Sequence, residues 1–179
     1  GLPGPQQVLA EAVAAALKAS GKPLVVVLQH GRALALTGAV RDAQAILAGW
    51  YLGSESGHAL ADLIFGDHNP SGRLPVSFPQ ASGQQPYYYN HRNTGRPQRK
   101  PDESRFKSRY LEVDHRALYP FGHGLNYSEV AYGVTQVSTA TLAWKGKVTV
   151  SVSISNRGQR PVREVAQLYI RQRVAGSVR

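Results

Sequence analysis

The spacing of apolar residues changes its period along this chain, and that change limits the folds open to it. Up to Pro79 they recur at helical spacing or in unbroken runs, whereas from Val148 onward they alternate with polar residues. Such a chain needs a helix-and-strand layer first and an antiparallel sheet second. Pro5 suits the first turn of a helix, and Val8, Leu9, Ala12, Val13, Ala16 and Leu17 follow at helical spacing until Ser20-Gly21-Lys22-Pro23 stops it. Leu24 to Leu28 is then an unbroken β-branched and leucine run, as in a strand covered on both faces of a parallel sheet, and Ala45 to Trp50 is a second such strand.

Trp50 to Pro79 reads as helix, tight turn and short strand. Ser54 or Ser56 is placed to cap a helix, and Glu55 puts negative charge where the helix dipole is positive. Leu60, Leu63 and Ile64 form its apolar stripe, and Gly66 supplies the left-handed stop. Asn69-Pro70-Ser71-Gly72 concentrates turn formers, after which Leu74, Val76 and Phe78 alternate as in a half-buried strand. Pro75 has no N–H, so this strand belongs at a sheet edge. The order of elements predicts a three-layer α/β sandwich, with helices on a mostly parallel sheet.

From Ser82 to Leu118 the periodicity vanishes and Arg, Pro, Asn and Tyr dominate, which predicts an ordered surface loop. Tyr119 to Tyr127, YPFGHGLNY, reads as an aromatic bridge. Beyond it Val130, Tyr132 and Val134 form a first strand, and Val148, Val150, Val152 and Ile154 alternate with Thr and Ser. Asn156-Arg157-Gly158 turns the chain toward Ala166, Leu168 and Ile170, a third alternating set. Three strands are about half of the roughly seven in a β-sandwich, so the chain is expected to carry only the opening of such a domain.

At 179 residues and 42% hydrophobic, the composition is that of a soluble globular chain of one domain or two small ones. Its longest strongly apolar run is far shorter than the roughly 20 residues of a membrane helix. GLPGPQQV lacks the basic and apolar parts of a signal peptide, and the absence of Met is expected for a piece of a longer protein. Zero cysteines exclude disulfides, thiolate metal sites and cysteine nucleophiles.

The net charge of +10 raises the nucleic-acid question. His91 to Arg116 carries eight Lys/Arg against four Asp/Glu, and Asn156 to Arg179 six Arg against one Glu. These stretches fall on two predicted domains and the first is interspersed with acids, so solvated surface is the simpler account and no specific nucleic-acid partner is expected. The six histidines, at 30, 58, 68, 91, 115 and 123, show no zinc-site spacing. Gly122-His123-Gly124 lacks the third glycine and the strand-to-helix setting of a phosphate loop, so neither metal nor nucleotide cofactor is expected. Glu55, in a Gly- and Ser-rich turn at a strand-to-helix junction, is read as a helix-terminus charge rather than a site carboxylate. Asp62 and Asp67 read as solvent-side or turn residues, and His58 as half-buried surface.

Taken together, GWYLGSESGHALADLIFGDHNPSGRLPVSFP, PYYYNHRNTGRP, SRYLEVDHRALYPFGHGLNY and SVSISNRGQRPVREVAQLYI resemble the C-terminal half of a family 3 glycoside hydrolase, most nearly of the periplasmic β-glucosidase type. The resemblance covers essentially the whole chain. NPSGRLPVSFP followed by YPFGHGLNY is its specific part; NPSG alone is not. It implies a parent enzyme with an N-terminal (β/α)8-like barrel, an α/β sandwich domain and a fibronectin type III-like β-sandwich. On that pattern residues 1–81 match the later part of the α/β sandwich, 82–127 a long loop and linker, and 128–179 an incomplete fibronectin type III-like domain. It also implies retaining hydrolysis of a terminal β-linked sugar by two carboxylates, and a periplasmic or secreted location. The family's nucleophilic aspartate lies on the barrel and its acid/base glutamate usually upstream of the match to Gly1. Neither maps onto this chain, so no catalytic residue is assigned and the 179 residues alone are expected to be silent.

Tyr87 to Pro97 then carries two readings. The composition favours a packed loop sealing the α/β domain, with Tyr88 buried and Arg92 solvated. The alternative is sugar contact on the leaving-group side, where Tyr faces stack on pyranose rings and Asn90, His91, Asn93 and Arg96 bind hydroxyls. The expected partners are a β-glucoside or oligosaccharide and the parent's barrel domain. β-Xylosidase, another exo-β-glycosidase, or a non-catalytic carbohydrate-binding or interaction module are the competing readings.

Overall fold

A computed structural model describes residues 1–92, 95–97 and 106–171. Two compact units emerge: unit 1 spans residues 1–57, 73–123 and 167–179, and unit 2 spans 58–72 and 124–166. In unit 1 the expected first helix is α1, Gly4–Ala19, with proline in its first turn; Ser20 N–H bonds back to the Ala16 and Leu17 carbonyls at its end. β1, Val25–Leu28, pairs parallel to β2, Ala45–Ala48, in the register Val25↔Ala45 to Leu28↔Ala48. The expected cover on both faces of β1 is reached only at its end: Leu28 is buried while Val25 is 45% exposed. Trp50, expected to close the second strand, instead sits beyond it at φ 48, a conformation that costs a bulky residue energy.

The centre of this core lies in the β1–β2 connection. Ala33, Leu34, Leu36 and Val40 join Leu28 and Phe78 there, with Ile46, Trp50, Leu74 and Leu118 packed around them. Val40 belongs to α2, Gly38–Arg41, a single turn whose first residue adopts φ 52, the left-handed region that favours glycine. Glu11 of α1 holds this turn from outside, accepting from Ala39 N–H at 2.9 Å and from Gln7 Nε2 at 2.8 Å.

The strand expected at Leu74–Phe78 forms as two anchored ends rather than a continuous ladder. Phe78 N–H donates to Tyr119 O and Leu118 N–H to Phe78 O, both at 2.8 Å, an antiparallel bridge. Leu74 exchanges bonds with His123 and Gly122 in the same way, at 2.8 Å each. Between these ends Pro75 offers no donor, and the Ser77 hydroxyl, not a backbone carbonyl, accepts from Phe121 N–H at 3.0 Å.

Unit 2 holds all but the first two residues of α3, Ser56–Phe65. Gly66 at φ 82 ends it, as its position predicts. Side chains take carbonyls at this end: Tyr127 Oη donates to Leu63 O in the last turn at 2.7 Å, and Arg160 donates to the carbonyl of Gly66 just beyond it. β3, Val130–Tyr132, pairs antiparallel with β6, Ile154–Asn156, and β4, Gln136–Val137, with β5, Val150–Ser151. The alternation at Val148–Ile154 predicts one strand, yet the pairing is interrupted within it. Tyr132 faces Ile154 while Gln136 faces Ser151, so Gly133, Tyr132's neighbour, through Thr135 oppose only Val152 and Ser153. That is a bulge, and it shifts the register by one residue. The third alternating set, Ala166 to Ile170, is exposed and not a strand, with no ladder partner among the described residues.

Candidate functional site

The predicted site loop is hung from unit 1 by a buried amide, an exposed amide and a half-buried phenol. Gln84, 4% exposed, accepts from Gln80 N–H at 2.7 Å through Oε1 and donates from Nε2 to Asp114 O at 2.7 Å. Gln85 Nε2 donates to Ala33 O at 3.0 Å, tying the loop directly to the core segment. Tyr87 Oη donates to His115 O at 2.7 Å, and desolvation raises its pKa above the ordinary tyrosine value. The opposite edge of this frame is the Asp114–Arg116 pair. Arg116 Nη2 and Nε reach Asp114 Oδ2 at 2.7 and 3.0 Å, and Arg116 N–H reaches Oδ1 at 2.9 Å. Those donors, the side chain first, lower the Asp114 pKa to about 2.

Expectation and structure part at the tyrosines. Tyr88, expected to be buried if the loop merely packs, is 61% exposed. Tyr87, one residue earlier, is the anchored ring, because its hydroxyl reaches a carbonyl that Tyr88 does not. Arg92 is exposed, as expected. Asn90 lies half-buried in a turn and His91 follows it, exposed. His91 Nδ1 lies 2.7 Å from Tyr88 O, which requires the proton on Nδ1; in the neutral ring Nε2 is then an acceptor. The same ring meets Tyr87 edge-on at 5.8 Å. Arg96 is exposed, and its carbonyl accepts from Ser108 N–H at 2.8 Å beside the Pro97–Ser108 bridge. Asn93 lies outside the described residues. Asn90 and His91 are thus held together on one anchored turn, with hydrogen-bonding capacity of both signs.

Tyr89 is missing from the predicted set, although it stacks on Phe121 with ring centroids 4.4 Å apart. The run of three tyrosines was the available signal; which of them stays exposed depends on partners about 30 residues away. Glu55 stands immediately before α3 and is exposed, in the position of a helix-terminus charge. A second polar feature lies behind β1. His30, 8% exposed, places Nδ1 2.8 Å from Arg32 O and packs its ring 4.3 Å from Trp50 and 5.5 Å from Phe78. Its buried Nε2 has no hydrogen-bond partner among the described residues. Among the described residues no cluster of three or more His, Cys, Asp or Glu is arranged to hold a metal ion, and no helix is long and apolar enough to cross a membrane.

A family model described as the glycosyl hydrolase family 3 C-terminal domain matches residues 1–127. The chain is 47% identical over 164 residues to a periplasmic beta-glucosidase of Salmonella typhimurium, covering 92% of this chain and 21% of that protein. It is 39% identical over 162 residues to a putative beta-xylosidase of Formosa agariphila, covering 90% of this chain and 20% of the other. Among solved structures, a beta-glucosidase from Listeria innocua in complex with glucose superposes with a TM-score of 0.77 at 40% identity, over 88% of this chain and 21% of that one. The chain therefore spans about a fifth of the length of these relatives.

Proposed function

The chain belongs to glycosyl hydrolase family 3, matching its C-terminal domain over residues 1–127, and from that premise we propose that it is part of a retaining exo-acting β-glycosidase that removes terminal non-reducing β-D-glucosyl residues. The observation that carries this reading is the 47% identity to a periplasmic beta-glucosidase across 92% of the chain. Residues 1–81 are the later part of an α/β sandwich, 82–127 its long loop and linker, and 128–179 the opening of a fibronectin type III-like domain. The parent enzyme supplies the barrel, and acts in the periplasm or outside the cell.

In a retaining mechanism one carboxylate attacks the anomeric carbon while a second carboxyl group, about 5 Å away, protonates the leaving oxygen. Neither group is in this chain. Its part is scaffold and contact with the leaving group: Gln84, Gln85 and Tyr87 fix the loop, and Asn90, His91, Asn93 and Arg96 offer hydrogen bonds to sugar hydroxyls. The neutral His91 ring accepts through Nε2, since Nδ1 donates to Tyr88 O. The likeness to a putative beta-xylosidase favours one second reading, the same chemistry on a β-xylosyl residue.

The test is hydrolysis by the complete reading frame against p-nitrophenyl β-glucoside and β-xyloside, with NMR of the first-formed anomer. Release of β-glucose is expected, and xylose release in its place would support the second reading. A complete protein that cleaves neither, or an α-anomer as first product, would overturn the proposal.

A further inference from the structure

The anchored loop carries an aromatic surface that the predicted site does not use. Tyr89 is 51% exposed, and its ring lies on Phe121 with planes inclined by only 20°. Tyr169, 55% exposed, meets both rings edge-on, at 6.1 Å from Tyr89 and 6.5 Å from Phe121. The group is braced from the backbone. Gln167 Nε2 donates to Gly122 O at 2.9 Å, and its Oε1 accepts from Tyr169 Oη. Gly122 holds φ 80, and a Cβ there would stand 1.9 Å from Gln167 Oε1 and 2.7 Å from Tyr169 Oη, so the brace exists only because this position is bare.

A ring stacked on one side and wet on the other contributes less to a core than a buried one, but it is pre-organised for a flat apolar partner. A β-linked glucopyranose or xylopyranose is such a partner, because its equatorial hydroxyls leave axial C–H bonds to meet the electron-rich ring face. The hydroxyls at its rim need donors and acceptors, and the next two residues are an amide and an imidazole with Nε2 as acceptor. We propose that Tyr89, supported by Phe121 and Tyr169, is a stacking platform for a pyranose unit of the substrate other than the one being hydrolysed, an inference that rests on the chain being part of a β-glycosidase.

The complete enzyme is assayed with a β-linked trisaccharide and with the corresponding glycosyl fluoride, whose leaving group has no ring to stack. Wild type, Tyr89→Leu, Tyr89→Phe and Tyr169→Leu are compared by the ratio of kcat/KM on the two substrates. Tyr89→Leu keeps apolar bulk on Phe121 but removes the flat face, so the ratio is expected to fall about fivefold, through KM. Tyr89→Phe restores the face and is expected to stay within twofold of wild type, while Tyr169→Leu, which loosens the brace, falls between. A ratio that does not move in Tyr89→Leu, or that falls equally in Tyr89→Phe, overturns the platform while leaving the glycosidase intact. A wild type that turns over neither substrate overturns both.

Discussion

Single side chains here hold segments that are far apart in sequence, and the clearest case is Asn69. Its Nδ2 donates to Ser128 Oγ at 3.2 Å and Pro161 O at 3.0 Å, and its Oδ1 accepts from Tyr127 N–H at 2.7 Å. Asn69→Ala removes three bonds, so a loss of about 2 kcal/mol is expected within unit 2. Faster amide exchange at Tyr127 would register it, and unchanged exchange would contradict it. Asn69 was legible only as a turn former, because its partners lie about 60 and 90 residues away. Asp114 gives a pH prediction. Its pKa is lowered from 3.8 to about 2 in the folded chain, so its contribution to stability is complete above the unfolded value. As pH falls from about 4 the unfolded chain takes up the proton first, and the contribution is gone once pH passes about 2. An NMR titration of the Asp114 carboxyl should show the depressed midpoint, with Arg116→Ala moving it back toward 3.8. A midpoint indifferent to Arg116 would rule out the pairing as its cause.

At the scale of elements, what could be read depended on whether the signal was local. α1, β1 and α3 carry their own periodicity and stops and stand where the residues put them, while β2 begins at Ala45 as expected but stops at Ala48, short of Trp50. α2 carries none. It is one turn long, and it depends on Glu11, 28 residues upstream, to receive Ala39 N–H. Glu11→Ala is therefore expected to lower stability by about 1 kcal/mol, the cost typical of a lost helix cap. Gly38→Ala should cost at least as much, since its Cβ would fall 2.0 Å from the same carboxylate at a left-handed φ. Urea midpoints for the two variants and their double mutant check this; additive losses would mean that Glu11 and Gly38 do not share one contact. The bulge at Gly133–Thr135 was hidden for a related reason. Alternation along Val148–Ile154 fixes which residues share a face, but a one-residue slip in pairing comes from the partner strand. The site loop lies between these cases: its polar and aromatic content marked the segment, while its anchors, Ala33, Asp114 and His115, are tertiary.

For the whole molecule, the two units differ in how much apolar surface they cover. Unit 1 has a continuous core from Leu28 through Leu36 and Val40 to Phe78. In unit 2 Val134 is 87% exposed and Trp144 93%; Val137 and Ile154, on strands of two and three residues, are each more than 40% exposed, as is Leu142 between the strands. Short antiparallel pairs with an uncovered apolar face are marginal in water, and their open edges invite pairing with other chains. The isolated 179-residue chain is expected to aggregate, or to lose order in its C-terminal third while α1 and the β1–β2 pair keep theirs. Amide exchange resolved along the sequence separates the two units: fast exchange at Val148–Ile154 beside protection at Val25–Leu28 is the expected pattern. Cooperative unfolding that includes Val148–Ile154 in a monomer would show that these strands need no further cover. The same preparation tests the chemistry: if both catalytic carboxylates belong to the rest of the parent enzyme, as proposed, the isolated chain should release no sugar from a β-glucoside above buffer. Turnover by the isolated chain would place a catalytic group among these residues and reopen Glu55, the exposed carboxylate at the start of α3.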